Sequence, residues 1–91
     1  MKKKIVEVIK QYVSEMIAFQ PEYEYGCEER GLHPKTTYER IYNALYDATW
    51  MEEYMSKNGV NTSDFESWYS IFLEVRKEIS IQELIDDCLR E

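Results

Sequence analysis

Histidine, glycine, proline and cysteine are all scarce in this chain of 91 residues, which has one His, three Gly, two Pro and two Cys. A single histidine excludes zinc sites built on paired histidines and leaves little material for a histidine-assisted catalytic relay. The low glycine and proline content disfavours disorder and favours helix. Because the two cysteines form no CxxC pair, we expect reduced thiols and no disulfide scaffold.

Long apolar runs are absent as well. No stretch approaches the roughly 20 uncharged apolar residues that a membrane span needs. The first residues, Met1 to Lys4, lead into an amphipathic pattern and not into the apolar run of a signal peptide. We therefore expect a cytoplasmic protein without a membrane segment. A chain of this length predicts one core and a single helical domain, residues 1–91.

Charge is unevenly distributed along the chain. Residues 1–40 contain seven basic and seven acidic residues, whereas residues 41–91 contain four basic and eleven acidic residues, which accounts for the net charge of −7. An acidic field favours association with basic partners and repels nucleic acid. The charge pattern predicts a basic protein partner.

Apolar residues at three- and four-residue steps predict an all-α fold of three to four helices. The expected helices span about 3–19, 34–58, 62–79 and 80–90. Pro21 favours an end to the first helix because proline disfavours helical geometry in the residue before it. Residues 20–33 then form an irregular segment, which we interpret as a loop, a short helix or an edge strand.

The predicted helix over 34–58 changes its apolar face part-way. Tyr38, Ile41, Tyr42 and Leu45 share one face, with Thr49 further along it. After Asp47 the apolar residues lie on other sides. The helix is therefore expected to bend near residues 47–49 or to be contacted from several directions.

Several short motifs predict where helices begin and end. Pro34 and a capping box at Thr36-x-x-Glu39 favour a helix start, and Asn58-Gly59 favours a helix end. Asn61 or the box Ser63-x-x-Glu66 begins the third helix, and Ser80-x-x-Glu83 begins the fourth.

No catalytic residue emerges from the sequence, and no cofactor is predicted. The acidic doublets are adjacent in sequence, and adjacent helical residues do not face each other as a catalytic dyad would. Cys27 and His33 could pair as thiol and base, but a packed cysteine and a turn histidine explain them more simply. We expect a protein that is not an enzyme.

One segment, Cys27 to Ile41, resembles a helix-turn-helix DNA-binding unit. Gly31 follows Cys27 by four positions, an apolar residue comes next, and Pro-Lys-Thr begins the second helix. In that family the second helix enters the major groove. The resemblance implies a DNA-binding regulator whose DNA-facing residues are Lys35, Thr36, Tyr38 and Arg40. The segment departs from the family at Arg30 and Thr37, where apolar residues are usual.

The other functional pattern combines acidic side chains with an excess of aromatic residues, namely eight Tyr, three Phe and two Trp. Tyrosine and tryptophan are favoured interface anchors. The chain is similar in its general class to the small inhibitors of phages and mobile elements, such as anti-CRISPR proteins. That similarity implies a nucleic-acid mimic that blocks a basic, nucleic-acid-handling protein. The expected contact residues are Glu22, Tyr23, Glu24, Tyr25, Glu28, Glu29, Trp50, Glu52, Glu53 and Tyr54.

A third interpretation is a structural or oligomeric module. Trp50, Met51, Tyr54 and Met55 could form the contact of a homodimer. The sequence leaves both monomer and homodimer open.

Overall fold

The computed structural model describes residues 1–90 and forms five α-helices among them. They are α1 (Lys2–Glu29), α2 (Thr37–Leu45), α3 (Ala48–Lys57), α4 (Phe65–Glu78) and α5 (Ile81–Arg90). No strand occurs in this part of the chain. The all-α class is confirmed, whereas the expectation of three to four helices is too low by at least one.

The first helix is 28 residues long, so the prediction that it spans only 3–19 is wrong, and so is the irregular segment predicted over 20–33. Pro21 lies inside the helix, although an internal proline costs about 3 kcal/mol because it lacks an N–H and crowds the preceding turn. Tertiary contacts offset this cost. Cys27 is buried, and the hydroxyl of Tyr23 accepts a hydrogen bond from the backbone N–H of Lys35 at 3.0 Å. Only residues 30–36 separate α1 from α2.

Gly31 ends the first helix with a left-handed turn. Its φ is +71°, and the backbone N–H of Leu32 donates to the carbonyl of Cys27 at 2.8 Å. The N–H of Gly31 donates to the carbonyl of Glu28 at 3.1 Å, which completes a Schellman motif. This turn folds residues 32–36 back along the last turns of α1.

The predicted helix over 34–58 is two helices. The capping box is confirmed, because the Thr36 hydroxyl accepts from the Glu39 backbone N–H and the Glu39 carboxylate accepts from the Thr36 backbone N–H. Asp47 interrupts the helical run by capping α3, its carboxylate accepting from the backbone N–H of Trp50 at 3.1 Å. The predicted change of direction near 47–49 is therefore a break between helices. The predicted helix end at Asn58-Gly59 is confirmed, and Gly59 has a φ of +92°.

The last two helices lie close to their predicted positions. The helix predicted over 62–79 begins at Phe65, because Asp64, and neither Asn61 nor Ser63, caps it. The helix predicted over 80–90 begins at Ile81, and the Ser80 hydroxyl accepts from the backbone N–H of Glu83 at 3.3 Å.

The long first helix organises the core. Its 28 residues correspond to about 42 Å at 1.5 Å per residue, close to the 41 Å longest dimension of the molecule. It packs against α2, α4 and α5. The buried core residues are Ile5, Val8, Ile9, Tyr12, Val13, Ile41, Leu45, Met51, Met55, Val60, Trp68, Phe72, Val75 and Ile85. Most of the α1 residues in this core lie in its first half, so its last turns are held mainly by the 30–36 turn and α2.

Candidate partner-binding surfaces

The last turns of α1 carry a group of carboxylates around one exposed tyrosine. Tyr25 is 64% exposed, with Glu22 three residues before it and Glu28 and Glu29 three and four residues after it. Helix residues three or four apart are neighbours on the surface, so all three carboxylates border the ring. The four ion pairs formed within residues 1–90 include none of them. We call Glu22, Tyr25, Glu28 and Glu29 the acidic end of α1.

The helix dipole makes this placement costly. Acidic side chains oppose the partial negative charge at the C-terminus of a helix, and like charges three or four residues apart repel each other. Glu28 and Glu29 occupy the last turn of α1, and the nearest basic residue is the C-cap Arg30, whose guanidinium donates to the Gly26 carbonyl at 3.2 Å and offsets part of this cost. A cationic group bound beside Tyr25 would relieve the repulsion that remains.

Two other residues predicted for this surface are already engaged. Tyr23 is half-buried; its hydroxyl bonds to the Lys35 backbone, and the Arg40 guanidinium lies 4.2 Å from the centre of its ring. Glu24 is exposed and accepts a hydrogen bond from the amide of Gln20 at 2.9 Å. Tyr23 therefore joins α1 to α2 and does not project as an anchor.

The contact residues predicted on α3 form a separate group. Trp50 and Glu53 are exposed, Glu52 is half-buried, and the Glu53 carboxylate pairs with Lys57 at 3.0 Å. Tyr54 turns towards α1, where its hydroxyl donates to the Glu15 carboxylate at 2.8 Å. Glu15 precedes Tyr25 by ten residues, or about 15 Å along the helix. The two predicted groups thus lie well apart along α1.

Tyr54 belongs to a polar network that fastens α3 to α1. The Gln11 amide donates to the Asn58 side-chain oxygen at 2.7 Å and to the Tyr54 hydroxyl at 3.4 Å. The rings of Tyr12 and Tyr54 meet edge to face with centroids 4.9 Å apart. Burial and the hydrogen bond to Glu15 raise the pKa of Tyr54 to about 12. The Tyr54 side chain therefore stabilises the packing of α3 against α1.

Replacing Tyr54 by phenylalanine is expected to lower the free energy of unfolding by about 1 kcal/mol near neutral pH, since the hydrogen bond to Glu15 is lost. The raised pKa adds a pH signature. Tyrosine ionises near 10.0 when unfolded and near 12 in this fold, so above pH 10 the unfolded state releases its proton first. Stability should fall as the pH rises between these values, and less so in Tyr54→Phe.

Urea unfolding at about pH 8 and about pH 11 measures both effects. Tyr25→Phe is the matched control, because it removes a hydroxyl from a largely exposed ring and should leave stability unchanged. Parallel declines in the wild type and Tyr54→Phe would contradict the assignment of the pH dependence to Tyr54.

The residues that the helix-turn-helix resemblance assigns to DNA occupy mixed positions. The side chain of Lys35 is exposed, but the hydroxyl of Thr36 caps α2. Arg40 faces α1, where its guanidinium donates to the Gln20 side-chain oxygen at 2.6 Å. Tyr38 is exposed beside Glu39. The outward face of α2 therefore has no basic side chain for phosphate contacts.

That face carries instead a row of three tyrosines, of which the first two, Tyr38 and Tyr42, are predicted from the sequence to share the apolar face of Ile41 and Leu45. Tyr38, Tyr42 and Tyr46 are 42%, 43% and 50% exposed, while their neighbours Ile41 and Leu45 are buried. The rings of Tyr42 and Tyr46 stack with centroids 4.4 Å apart. Those of Tyr38 and Tyr42 lie 6.3 Å apart at an angle of 19°. We call the three residues the tyrosine ladder. Their regular four-residue spacing is the feature of the sequence that could have identified it.

Comparisons with known proteins return no relative. No protein family, curated protein or solved structure matches this chain. Any assignment of function therefore rests on the surfaces described above.

No three His, Cys, Asp or Glu side chains converge on a metal position within residues 1–90. Cys27 is buried at the end of α1, whereas His33 is exposed in the turn. A groove of 670 Å³ between α1 and α5 is lined by charged and polar side chains around Leu84 and Cys88. No helix in the described part of the chain has the length and apolar character needed to cross a bilayer.

The homodimer contact predicted on α3 loses two of its four members. Met51 and Met55 are fully buried in the core of their own chain. Trp50 is exposed and Tyr54 is half-buried against α1. Only Trp50 therefore offers a largely free apolar surface for self-association at this place.

Proposed function

We propose that this protein is a non-enzymatic inhibitor that binds a basic, nucleic-acid-handling protein, with the acidic end of α1 as its contact surface. The observation that carries the proposal is the position of three carboxylates without ion pairs around the 64% exposed ring of Tyr25. Carboxylates on a helix present repeated negative charge as a phosphate backbone does, and tyrosine adds an anchor with apolar area and a polar tip.

Charge complementarity supports a basic partner. The net charge of −7 would speed encounter with a cationic groove and slow encounter with nucleic acid. Locally, a lysine or arginine placed beside Tyr25 would oppose the charges of Glu28 and Glu29 at the C-terminus of α1. The complex would gain from relieving a repulsion that the free protein carries.

Affinity capture with matched charge variants tests the proposal. The bait is the tagged protein with a photo-crosslinking residue in place of Ala18, which is exposed one turn before Glu22, and it is used in nuclease-treated lysate. Glu22→Gln/Glu29→Gln removes two charges beside Tyr25, and Glu66→Gln/Glu83→Gln removes two charges from α4 and α5. The expected result is one basic protein that crosslinks to the bait, is displaced by added duplex DNA, and is lost with the first pair only.

Two outcomes would contradict the proposal. Equal loss with both charge pairs would show a general dependence on net charge and not a surface at Tyr25. A bait that retains DNA, and loses its proteins after nuclease treatment, would favour the helix-turn-helix regulator.

A further inference from the structure

The tyrosine ladder is a stacked column with one end occupied. At one end, the guanidinium of Arg76 lies 3.9 Å from the centre of the Tyr46 ring and donates to the Leu45 carbonyl at 3.1 Å. The Tyr42 ring stacks on the Tyr46 ring. The remaining ring, Tyr38, is separated from Tyr42 by 6.3 Å and has no aromatic neighbour in residues 1–90 besides Tyr42. The free end of the column is therefore at Tyr38.

The chain already uses its tyrosines to hold guanidinium groups. Arg76 lies over Tyr46, and Arg40 lies 4.2 Å from the centre of the Tyr23 ring. A planar guanidinium stacks on an aromatic face by both cation–π attraction and surface contact, whereas a lysine ammonium is a compact and strongly hydrated charge. Rings that stack in this way select arginine over lysine.

The charges beside the free end favour a cation. Glu39 precedes Tyr42 by three residues, so it lies beside the ladder. Its Oε1 accepts from the backbone N–H and the hydroxyl of Thr36, at 3.3 and 3.1 Å, and its exposed Oε2 has no partner within residues 1–90. Arg76 is committed to Tyr46 and the Leu45 carbonyl at the far end. A guanidinium there would gain both a ring and a carboxylate. The exposed Lys35 and the N-terminus of α2 also lie near Tyr38 and partly oppose a cation, so the preference for a guanidinium comes from the ring face together with Glu39.

We propose that the free end of the tyrosine ladder binds an arginine side chain of a basic protein segment, stacked on Tyr38 and paired with Glu39. The choice of a basic protein rests on the proposed function, but the site is a second surface, distinct in its residues from the acidic end of α1. It deepens that function by giving the inhibitor a means to recognise arginine and not positive charge alone.

Two synthetic peptides provide the probe. One alternates glycine with arginine over eight residues, and the other has lysine at every arginine position; both carry a fluorophore and blocked ends. Fluorescence anisotropy gives the affinity of each for the purified protein. We expect the arginine peptide to bind about two- to fivefold more tightly per stacked side chain. Amide and aromatic NMR shifts should be largest at Tyr38 and Tyr42.

Variants of exposed residues separate stacking from charge. Tyr38→Leu should bring the ratio of the two affinities to about one, whereas Tyr38→Phe should keep it, because phenylalanine retains a ring face. Glu22→Gln/Glu29→Gln should weaken both peptides equally and leave the ratio unchanged. An equal affinity for both peptides in the wild type, or an unchanged ratio in Tyr38→Leu, would overturn the proposal.

A nucleic-acid control completes the design. If oligothymidylate shifts the Tyr38 and Tyr42 resonances and displaces the arginine peptide, the ladder is a base-stacking platform and the proposal is overturned. Capture of no basic protein by the bait, together with a retained arginine preference that depends on Tyr38, would contradict the proposed function while supporting the arginine site.

Discussion

Replacing Trp68 by alanine is expected to lower the free energy of unfolding by about 3–5 kcal/mol, the usual cost of deleting a large aromatic side chain from a packed core. Trp68 is 0% exposed; it meets Phe65 and Tyr69 edge to face and Phe72 at a tilt, with centroids 5.3–5.7 Å from its own ring. The whole free energy of unfolding of a native protein is only about 5–15 kcal/mol. Urea titration followed by circular dichroism should show a much lower midpoint, or a chain already unfolded in buffer.

Trp68→Phe should behave very differently from Trp68→Ala. The indole N–H of Trp68 is buried and has no acceptor within residues 1–90. A buried donor without a partner costs about 1–3 kcal/mol, so its removal offsets the cavity that a smaller ring leaves. We expect the phenylalanine variant to stay within about 1 kcal/mol of the wild type. A loss as large as that of Trp68→Ala would show that the indole N–H is hydrogen-bonded in solution.

Trp50 offers the matched control, since the chain has only two tryptophans. It is 43% exposed, so Trp50→Ala should lower the free energy of unfolding by much less than Trp68→Ala does. In that variant Trp68 is the sole source of tryptophan fluorescence. The emission wavelength of Trp68 should be that of a buried tryptophan until the urea transition. The fluorescence of this variant therefore reports the unfolding of the core.

Much of the fold follows from local signals that the sequence displays. The apolar spacing in the first helix predicts a buried face made of Ile5, Val8, Ile9, Tyr12, Met16 and Phe19. The structure buries the first four, half-buries Met16 and leaves Phe19 45% exposed. Caps predicted from short motifs begin α2 and α5. These features depend on residues three or four apart, so a pattern in the sequence is enough to identify them.

Long-range contacts at one place and an unrecognised local cap at another account for the main differences. Pro21 favours a helix end by local rules, and the helix continues because Tyr23 and Gln20 bond to the backbone of Lys35, twelve and fifteen residues away. Asp47 breaks a long helical pattern because it caps α3. In both places a contact or a cap outweighs a propensity, and propensity is the weaker effect.

The candidate surfaces were only partly visible in the sequence for the same reason. The exposure of Glu22, Tyr25, Glu28 and Glu29 agrees with their predicted place on a surface. Tyrosine, however, has an apolar ring and a polar tip, so a row of tyrosines at helical spacing fits a buried stripe and an exposed one equally well. The packing of α2 against α1 and α5 decides that Ile41 and Leu45 face the core and that the tyrosine ladder faces solvent.

Arg40 is a structural residue under one interpretation and a DNA-binding residue under the other. Arg40→Ala is the second substitution with a large expected effect. Its guanidinium donates to the Gln20 side-chain oxygen at 2.6 Å and to the Met16 carbonyl at 3.5 Å, and it lies over Tyr23. Hydrogen bonds from a charged group contribute about 1.5–3 kcal/mol, and a cation–π contact adds about 0.5–1 kcal/mol. Because the side chain is only half-buried, we expect a loss of about 2 kcal/mol in the free energy of unfolding.

Arg40→Lys and Lys35→Ala make the comparison decisive. Lysine keeps the charge but lacks the planar fork, so Arg40→Lys should recover less than half of the lost stability. Lys35→Ala removes an exposed charge and should leave stability unchanged. If Arg40 instead contacts phosphate, Arg40→Ala would leave the urea midpoint unchanged, weaken binding to duplex DNA and reduce its salt dependence, and lysine would largely substitute for arginine. A structural role for Arg40 therefore predicts a lower urea midpoint in Arg40→Ala, and a DNA-binding role predicts a weaker DNA affinity at an unchanged midpoint. The two results exclude each other because one guanidinium cannot both pack against α1 and face a DNA groove.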